Sequence, residues 1–130
     1  MSEIIPVRDL HYNLAGELTF SIFKGANKKQ TNKAVHEAEG LHALWQNLNG
    51  PERFMLAKRK FIHHQSESRS ETRLFAPFMV QDGKRLYRPV YERLKGRWRL
   101  IKLPARFLME EDSEFLFRCP TLSPLAEALN

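Results

Sequence analysis

Apolar and polar residues alternate in the segment 17–23, where Leu18, Phe20 and Ile22 share one side of an extended chain. A period of two residues is typical of a strand with one buried face. We therefore predict a strand over residues 17–23.

The next apolar residues recur at spacings of four and three, the period of an amphipathic helix. They are Ala34, Ala38, Leu41, Trp45 and Leu48. This stripe predicts a helix over residues 33–48, with Thr31 or Asn32 as its N-cap, since a side-chain oxygen there can accept a hydrogen bond from a free amide of the first turn.

The turn Asn49-Gly50-Pro51 ends this helix and begins another, because proline fits the first turn of a helix, where its missing N–H is not needed. Phe54, Ala57 and Phe61 form the buried stripe of this second helix, predicted over residues 51–63.

After residue 70 the two-residue alternation returns and predicts strands over residues 72–80, 86–94 and 97–103. Asp82-Gly83 and Lys95-Gly96 separate these strands as tight hairpin turns. The segments 107–109 and 114–119 are predicted to add another hairpin, and residues 123–129 a short C-terminal helix capped by Ser123.

The element order β-α-α-β-β-β-β predicts an α+β fold. We expect a single domain of residues 1–130, in which two helices of the N-terminal half pack on one face of a mainly antiparallel sheet. The other face of the sheet is expected to be open and basic.

The net charge of +6 is distributed unevenly along the 130 residues. Residues 51–106 contain fifteen basic and five acidic side chains, whereas residues 107–130 contain one basic and five acidic. A basic segment of this kind attracts polyanions, of which nucleic acid and acidic proteins are the main classes.

Strand 86–94 interleaves basic and aromatic residues. Alternation places Arg85, Tyr87, Tyr91 and Arg93 on one face, with Pro89 between the tyrosines. Aromatic rings stack on unpaired bases while guanidinium groups hold phosphates, so the pattern suits single-stranded or structured nucleic acid.

Further cations extend this predicted contact set. Arg97 and Arg99 project outward on the next strand if Trp98 faces the core. The basic run of the second helix adds Lys58, Arg59 and Lys60. These three cover about 300° of the helix surface, since successive residues are about 100° apart, so only part of the run can address one ligand.

No catalytic or metal-binding motif is present. The five histidines lack the spacing of a metal site, and His36 and His42 project from different faces of the predicted helix. We therefore expect no metal and no cofactor, and binding rather than catalysis. A small metal-independent ribonuclease is a third hypothesis; the order of elements is similar, in layout alone, to that of ribosome-dependent ribonuclease toxins.

The main alternative to nucleic-acid binding is a protein-interaction module or small inhibitor that binds an acidic protein, with self-association through residues 107–130. The single cysteine, Cys119, excludes an intramolecular disulfide. No apolar run reaches the length of a membrane span, and residues 1–6 lack the features of a signal peptide. These observations predict a cytoplasmic protein that does not bind membranes.

Overall fold

The computed structural model describes residues 2–12, 18–23, 25–65, 71–107 and 114–117. The fold is α+β, with two helices in the N-terminal half and an antiparallel sheet, as predicted. Its elements are β1 (Ser2–Pro6), β2 (His11–Tyr12), β3 (Leu18–Ser21), α1 (Lys28–Asn47), α2 (Gly50–Lys60), β4 (Ile62–Gln65), β5 (Glu71–Phe75), β6 (Phe78–Asp82), β7 (Arg85–Leu94), β8 (Arg97–Phe107) and β9 (Glu114–Phe117).

The sheet is curled. Its strands follow the order β1-β6-β7-β8-β9-β3-β2, with β5 paired to β7 and β4 paired to β5. An antiparallel bridge between Val7 and Ile22 joins the end of β1 to the end of β3. This curling brings β3 across the face of the sheet that the helices do not cover.

Helix α1 has the predicted stripe but begins earlier than predicted. Asn27 is the N-cap, and its side chain accepts a 2.9 Å hydrogen bond from the Gln30 amide. Thr31 lies inside the helix, where its hydroxyl accepts a hydrogen bond from the Gly25 amide at 3.1 Å. The predicted cap was therefore wrong. The Thr31 hydroxyl is bonded to the turn that precedes the helix, and Asn27 caps the first turn.

Helix α2 is shorter than the predicted range of 51–63. Asn49 and Glu52 form a capping box at its start, and the helix ends at Lys60. Residues 62–65 are a strand, because their backbone pairs with β5 in the register Ile62↔Phe75 to Gln65↔Thr72. Pairing with the next strand along the chain decides this boundary.

The predicted strand 72–80 is divided in two. β5 and β6 both pair with the same edge of β7, and Ala76 and Pro77 lie between them. Proline cannot donate to the ladder, so the interruption falls where a paired N–H would be missing. The predicted turns are present, with Gly83, Lys95 and Gly96 all at positive φ.

Both faces of the central strands are buried. On the helix side, Trp45, Leu56 and Phe61 pack against Leu74 and Phe78. On the other side, Val7, which follows β1, and Leu18 and Phe20 of β3 pack against the central strands. The central strands contribute Phe75, Met79, Val90 and Leu103 to this second cluster. The expectation that one face of the sheet is open is therefore wrong for the central strands.

Strands β1, β2 and β4 were not predicted. Each is short, and β1 also depends on pairing with β6, which is distant in the chain. Strand β9 falls inside the predicted segment 114–119 and pairs with the end of β8. The predicted C-terminal helix 123–129 lies outside the described residues.

Candidate nucleic-acid interface

The predicted contact strand, β7, presents Tyr87, Tyr91 and Arg93 on the same side, as alternation indicated. That side is the helix side. Tyr91 is only 7% exposed and packs edge-on against Phe54, with ring centroids 5.4 Å apart. The expectation that Tyr91 lies on an open face is wrong, and no base can stack on this ring.

At the margin of the helices, cations and aromatic rings from β7, β8 and α2 lie side by side. We call this surface the basic–aromatic strip. It consists of Arg53, Phe54, Lys58, Arg85, Tyr87, Arg93, Trp98 and Lys102. Along β7 it extends from Arg85 to Arg93, about 27 Å at the usual rise of a strand.

At one end of the strip, the rings of Phe54 and Trp98 lie 4.9 Å apart. The guanidinium of Arg93 lies 5.5 Å from the centroid of Trp98, and the ammonium of Lys58 lies 5.6 Å from that of Phe54. Both cations are exposed. Their attraction to the rings holds two positive charges beside half-buried aromatic surface.

At the other end, the ring of Tyr87 is flanked by two exposed cations. The Arg85 guanidinium is 5.7 Å and the Lys102 ammonium 5.0 Å from its centroid. Burial raises the pKa of the Tyr87 hydroxyl, and the nearby Asp82 carboxylate raises it further. The hydroxyl therefore remains protonated at neutral pH and can donate a hydrogen bond.

A cavity of about 150 Å³ opens beside Tyr87. Its wall contains aromatic, apolar, amide and cationic groups: His42, Trp45, Gln46, Arg53, Tyr87, Pro89, Leu100 and Lys102. Burial lowers the pKa of His42, so its imidazole is neutral at pH 7 and offers one donor and one acceptor.

Arg53 fixes one wall of this cavity. Its guanidinium lies 4.8 Å from the centroid of Trp45 and donates to the carbonyl oxygens of Trp45 and Gln46 at 2.9 and 2.7 Å. These carbonyls belong to the last turn of α1, where a cation is favourable. Arg53 thereby ties the end of α1 to the start of α2.

Arg97 and Arg99 lie on the opposite face of the β7–β8 hairpin from the strip. Trp98 faces the core, as the prediction required, and both arginines are exposed. Arg99 Nε donates to Glu92 Oε1 at 2.6 Å, and Arg73 Nε lies 3.9 Å from the same carboxylate. The structure therefore does not bring these two cations together with the strip.

The three cations of the basic run in α2, Lys58, Arg59 and Lys60, diverge, as their spacing indicated. All are exposed, but only Lys58 contacts a ring of the strip. Arg59 lines a separate depression with Met55 and Leu48. Lys60 is the last residue of the helix.

Sequence reasoning missed Lys102 and Arg53 as members of the strip. Continued alternation along β8 from Trp98 through Leu100 would have placed Lys102 on the same side. Arg53 had no such signal, since its position depends on the angle between two helices.

Arg88 was also missed, as a buried residue. It is 0% exposed, its Nε donates to the Ala76 carbonyl at 2.5 Å, and its guanidinium lies 5.0 and 5.3 Å from the ring centroids of Phe20 and Phe75. The Arg88 side chain packs in the core on the side of β7 away from the helices, so it cannot contact a ligand.

Among the described residues, no group of three or more His, Cys, Asp or Glu side chains could hold a metal ion. Neither α1 nor α2 combines the length and the apolar character needed to cross a membrane. No family model matches the sequence, and searches among curated proteins and solved structures find no match.

Proposed function

We propose that this protein binds single-stranded nucleic acid along the basic–aromatic strip, without cleaving it. The observation that carries the proposal is the pairing of exposed cations with aromatic rings at both ends of the strip. Cations next to aromatic surface suit a flexible strand, because phosphates and unstacked bases must be held at the same time.

The contact set follows the geometry rather than the alternation alone. It keeps Arg85, Tyr87, Arg93 and Lys58 and adds Lys102. Tyr91 has a supporting role, since it packs under Phe54. Arg97 and Arg99 would contact only a nucleic-acid chain that continues around the β7–β8 hairpin.

The cavity beside Tyr87 gives the strip a place for one base. Its volume of about 150 Å³ is comparable to that of a cavity that holds a single six-membered ring. Gln46 and neutral His42 both offer donors and acceptors to the edge of a base, and Lys102 lies near enough to hold its phosphate.

The test is fluorescence anisotropy of labelled single-stranded RNA, single-stranded DNA and duplex DNA across a salt series. We expect single strands to bind more tightly than duplex, with an affinity that falls log-linearly with salt. Arg93→Glu combined with Lys102→Glu should weaken binding and reduce the salt slope by about two, since each lost phosphate contact removes about one.

The control with the same change of charge is Lys28→Glu combined with Lys29→Glu, which reverses two exposed charges on the first turn of α1, away from the strip. It should leave the single-strand preference intact. Equal losses in the control and in the strip variant would contradict the strip and indicate a diffuse charge effect. If no polynucleotide binds even at low salt, the strip is a solvated or a protein-facing surface, and capture of an acidic protein partner tests the second.

Electrophoresis of the labelled RNA after the titration separates binding from the ribonuclease hypothesis. We expect the RNA to remain intact.

We also propose that the protein acts in the cytoplasm, in line with its single cysteine.

A further inference from the structure

Strand β1 lies at one end of the sheet path, and the pairing that the described residues make on its outer edge is confined to its end, where Pro6 and Val7 meet Phe23 and Ile22. Two backbone hydrogen bonds of 3.0 Å fix which residues face that edge: Val7 N–H donates to Pro77, next to β6, and Pro6 C=O accepts from Phe23 on the opposite side. Because N–H and C=O groups alternate sides along an antiparallel strand, Ser2 and Ile4 direct theirs outward.

No backbone group in the described part of the chain pairs with Ile4 on this outer side. Its N–H and C=O form a donor and acceptor pair ready for another strand. Unpaired edges of this kind are templates for strand addition.

A groove of about 670 Å³ lies along this edge, between β1 and α1. Its walls are mainly apolar and include Ile4, Ile22, Phe23 and Val35. The volume falls in the range of functional ligand sites, roughly 300–1,000 Å³.

The turn from β3 into α1 holds one wall of the groove in place. The Gly25 amide donates to the Thr31 hydroxyl at 3.1 Å, and the Ala26 amide donates to the Gln30 side chain at 2.7 Å. A Cβ on Gly25 would collide with the Cβ of Gln30. The groove is therefore preformed, which lowers the cost of ordering a ligand in it.

Among the described residues that line the groove, the charged side chains are all acidic. They are Glu3 and Glu39, both exposed, and the lining residues that the structure describes include no Lys or Arg. We propose that this groove binds an extended peptide segment of a partner protein, which adds a strand to β1 and carries apolar side chains and at least one lysine or arginine.

This peptide site is independent of the nucleic-acid proposal, since no residue is shared between the groove and the basic–aromatic strip. The free backbone groups of Ile4 supply affinity for any extended chain. The apolar walls and the carboxylate of Glu39 select which side chains it carries.

The probe is a seven-residue peptide of alternating valine and lysine with blocked termini, titrated into ¹⁵N-labelled protein. We expect amide shifts in β1 and in the part of α1 around Val35. The same peptide with glutamate in place of lysine should bind the wild-type protein more weakly. The lysine peptide should also bind the protein variant Glu39→Lys more weakly than it binds the wild type.

Ile4→Pro is the sharpest variant, because it removes the outward N–H without removing a hydrogen bond to β6. Affinity should fall about tenfold, the loss expected for about 1.4 kcal/mol. Ile4→Val keeps the N–H and should bind as the wild type does. N-methylation of alternate peptide residues makes the same test from the ligand side, without altering the fold of the protein.

Three results would overturn the proposal. They are the absence of amide shifts at millimolar peptide, equal affinity of the wild type for the lysine and glutamate peptides, and unchanged affinity with the N-methylated peptide. Concentration-dependent dimerisation that Ile4→Pro abolishes would assign the edge to a second copy of this chain instead.

Discussion

Two residues of β7 show how surroundings decide the role of a side chain. Tyr91 and Arg88 point to opposite faces of the same strand, and both are buried, because this part of the sheet has a core on each side. Burial lowers the pKa of Arg88 to about 9, which still leaves its guanidinium protonated at neutral pH. An arginine of the basic segment is thus a packed residue between two phenylalanine rings.

Replacing Arg88 by alanine tests this structural role. Arg88→Ala removes a fully buried side chain next to Phe20 and Phe75 and should lower the free energy of unfolding by roughly 3–5 kcal/mol, as large core truncations do. Arg85→Ala, at an exposed position of the same strand, should change it by less than about 0.5 kcal/mol. Urea denaturation followed by circular dichroism measures both, and a small loss for Arg88→Ala would show that the site is not tightly packed.

His42 makes the stability of the fold depend on pH. It packs edge-on against Phe78 at 5.2 Å, and burial lowers its pKa below the ordinary 6.5. Between the lowered pKa and 6.5 the unfolded chain binds more protons than the folded protein, so stability is lost as the pH falls through this window.

The free energy of unfolding should therefore decrease more from about pH 7.5 to about pH 5 in the wild type than in His42→Leu, which lacks this titration. Urea denaturation at both pH values measures the difference. Parallel losses in the two proteins would show that another group is responsible.

The helix boundaries depend on caps that the apolar stripe does not locate. Asn27 and Asn49 each accept a hydrogen bond from an amide of the first turn, at 2.9 Å in both cases. The stripe over residues 33–48 predicts the buried face of α1, whereas the turn around Gly25 sets where the helix begins.

Asn27 and Asn32, near the start of α1, should respond differently to substitution by alanine. Asn27→Ala removes the cap and should cost about 1 kcal/mol. Asn32→Ala, at an exposed position within the helix, should be neutral or slightly stabilising, because alanine has the higher helix propensity. Thermal denaturation measures the stability of both variants. A larger loss for Asn32→Ala than for Asn27→Ala would show that Asn32, and not Asn27, caps the helix.

At the scale of the molecule, β7 connects the two cores. Tyr91 belongs to the helix-side cluster and Val90 to the cluster that β3 completes. A defect in one cluster should therefore destabilise the other, since adjacent residues of one strand cannot unfold separately.

Leu18→Ala, in the cluster away from the helices, should lower stability by about 2–5 kcal/mol. Although Trp45 lies in the helix-side cluster, the fluorescence midpoint should shift as far as the circular dichroism midpoint, because unfolding is cooperative. A fluorescence transition that stays in place would show that the two clusters unfold independently.

The sequence by itself determined the α+β class, the stripe of α1, the turns at Gly83 and Gly96 and the alternation along β7, because each depends on spacing between near neighbours. It also located the basic segment that supplies Arg85, Arg93 and Lys58 to the strip.

Only the tertiary structure decided which face of the sheet is covered. The curling of the sheet placed β3 over the face expected to be open, buried Arg88 beneath it and left the cations at the margin of the helices. The free edge of β1 likewise depends on contacts between residues far apart in the chain, since β1 pairs with β6. Such contacts follow from how whole elements pack, and no local period encodes them.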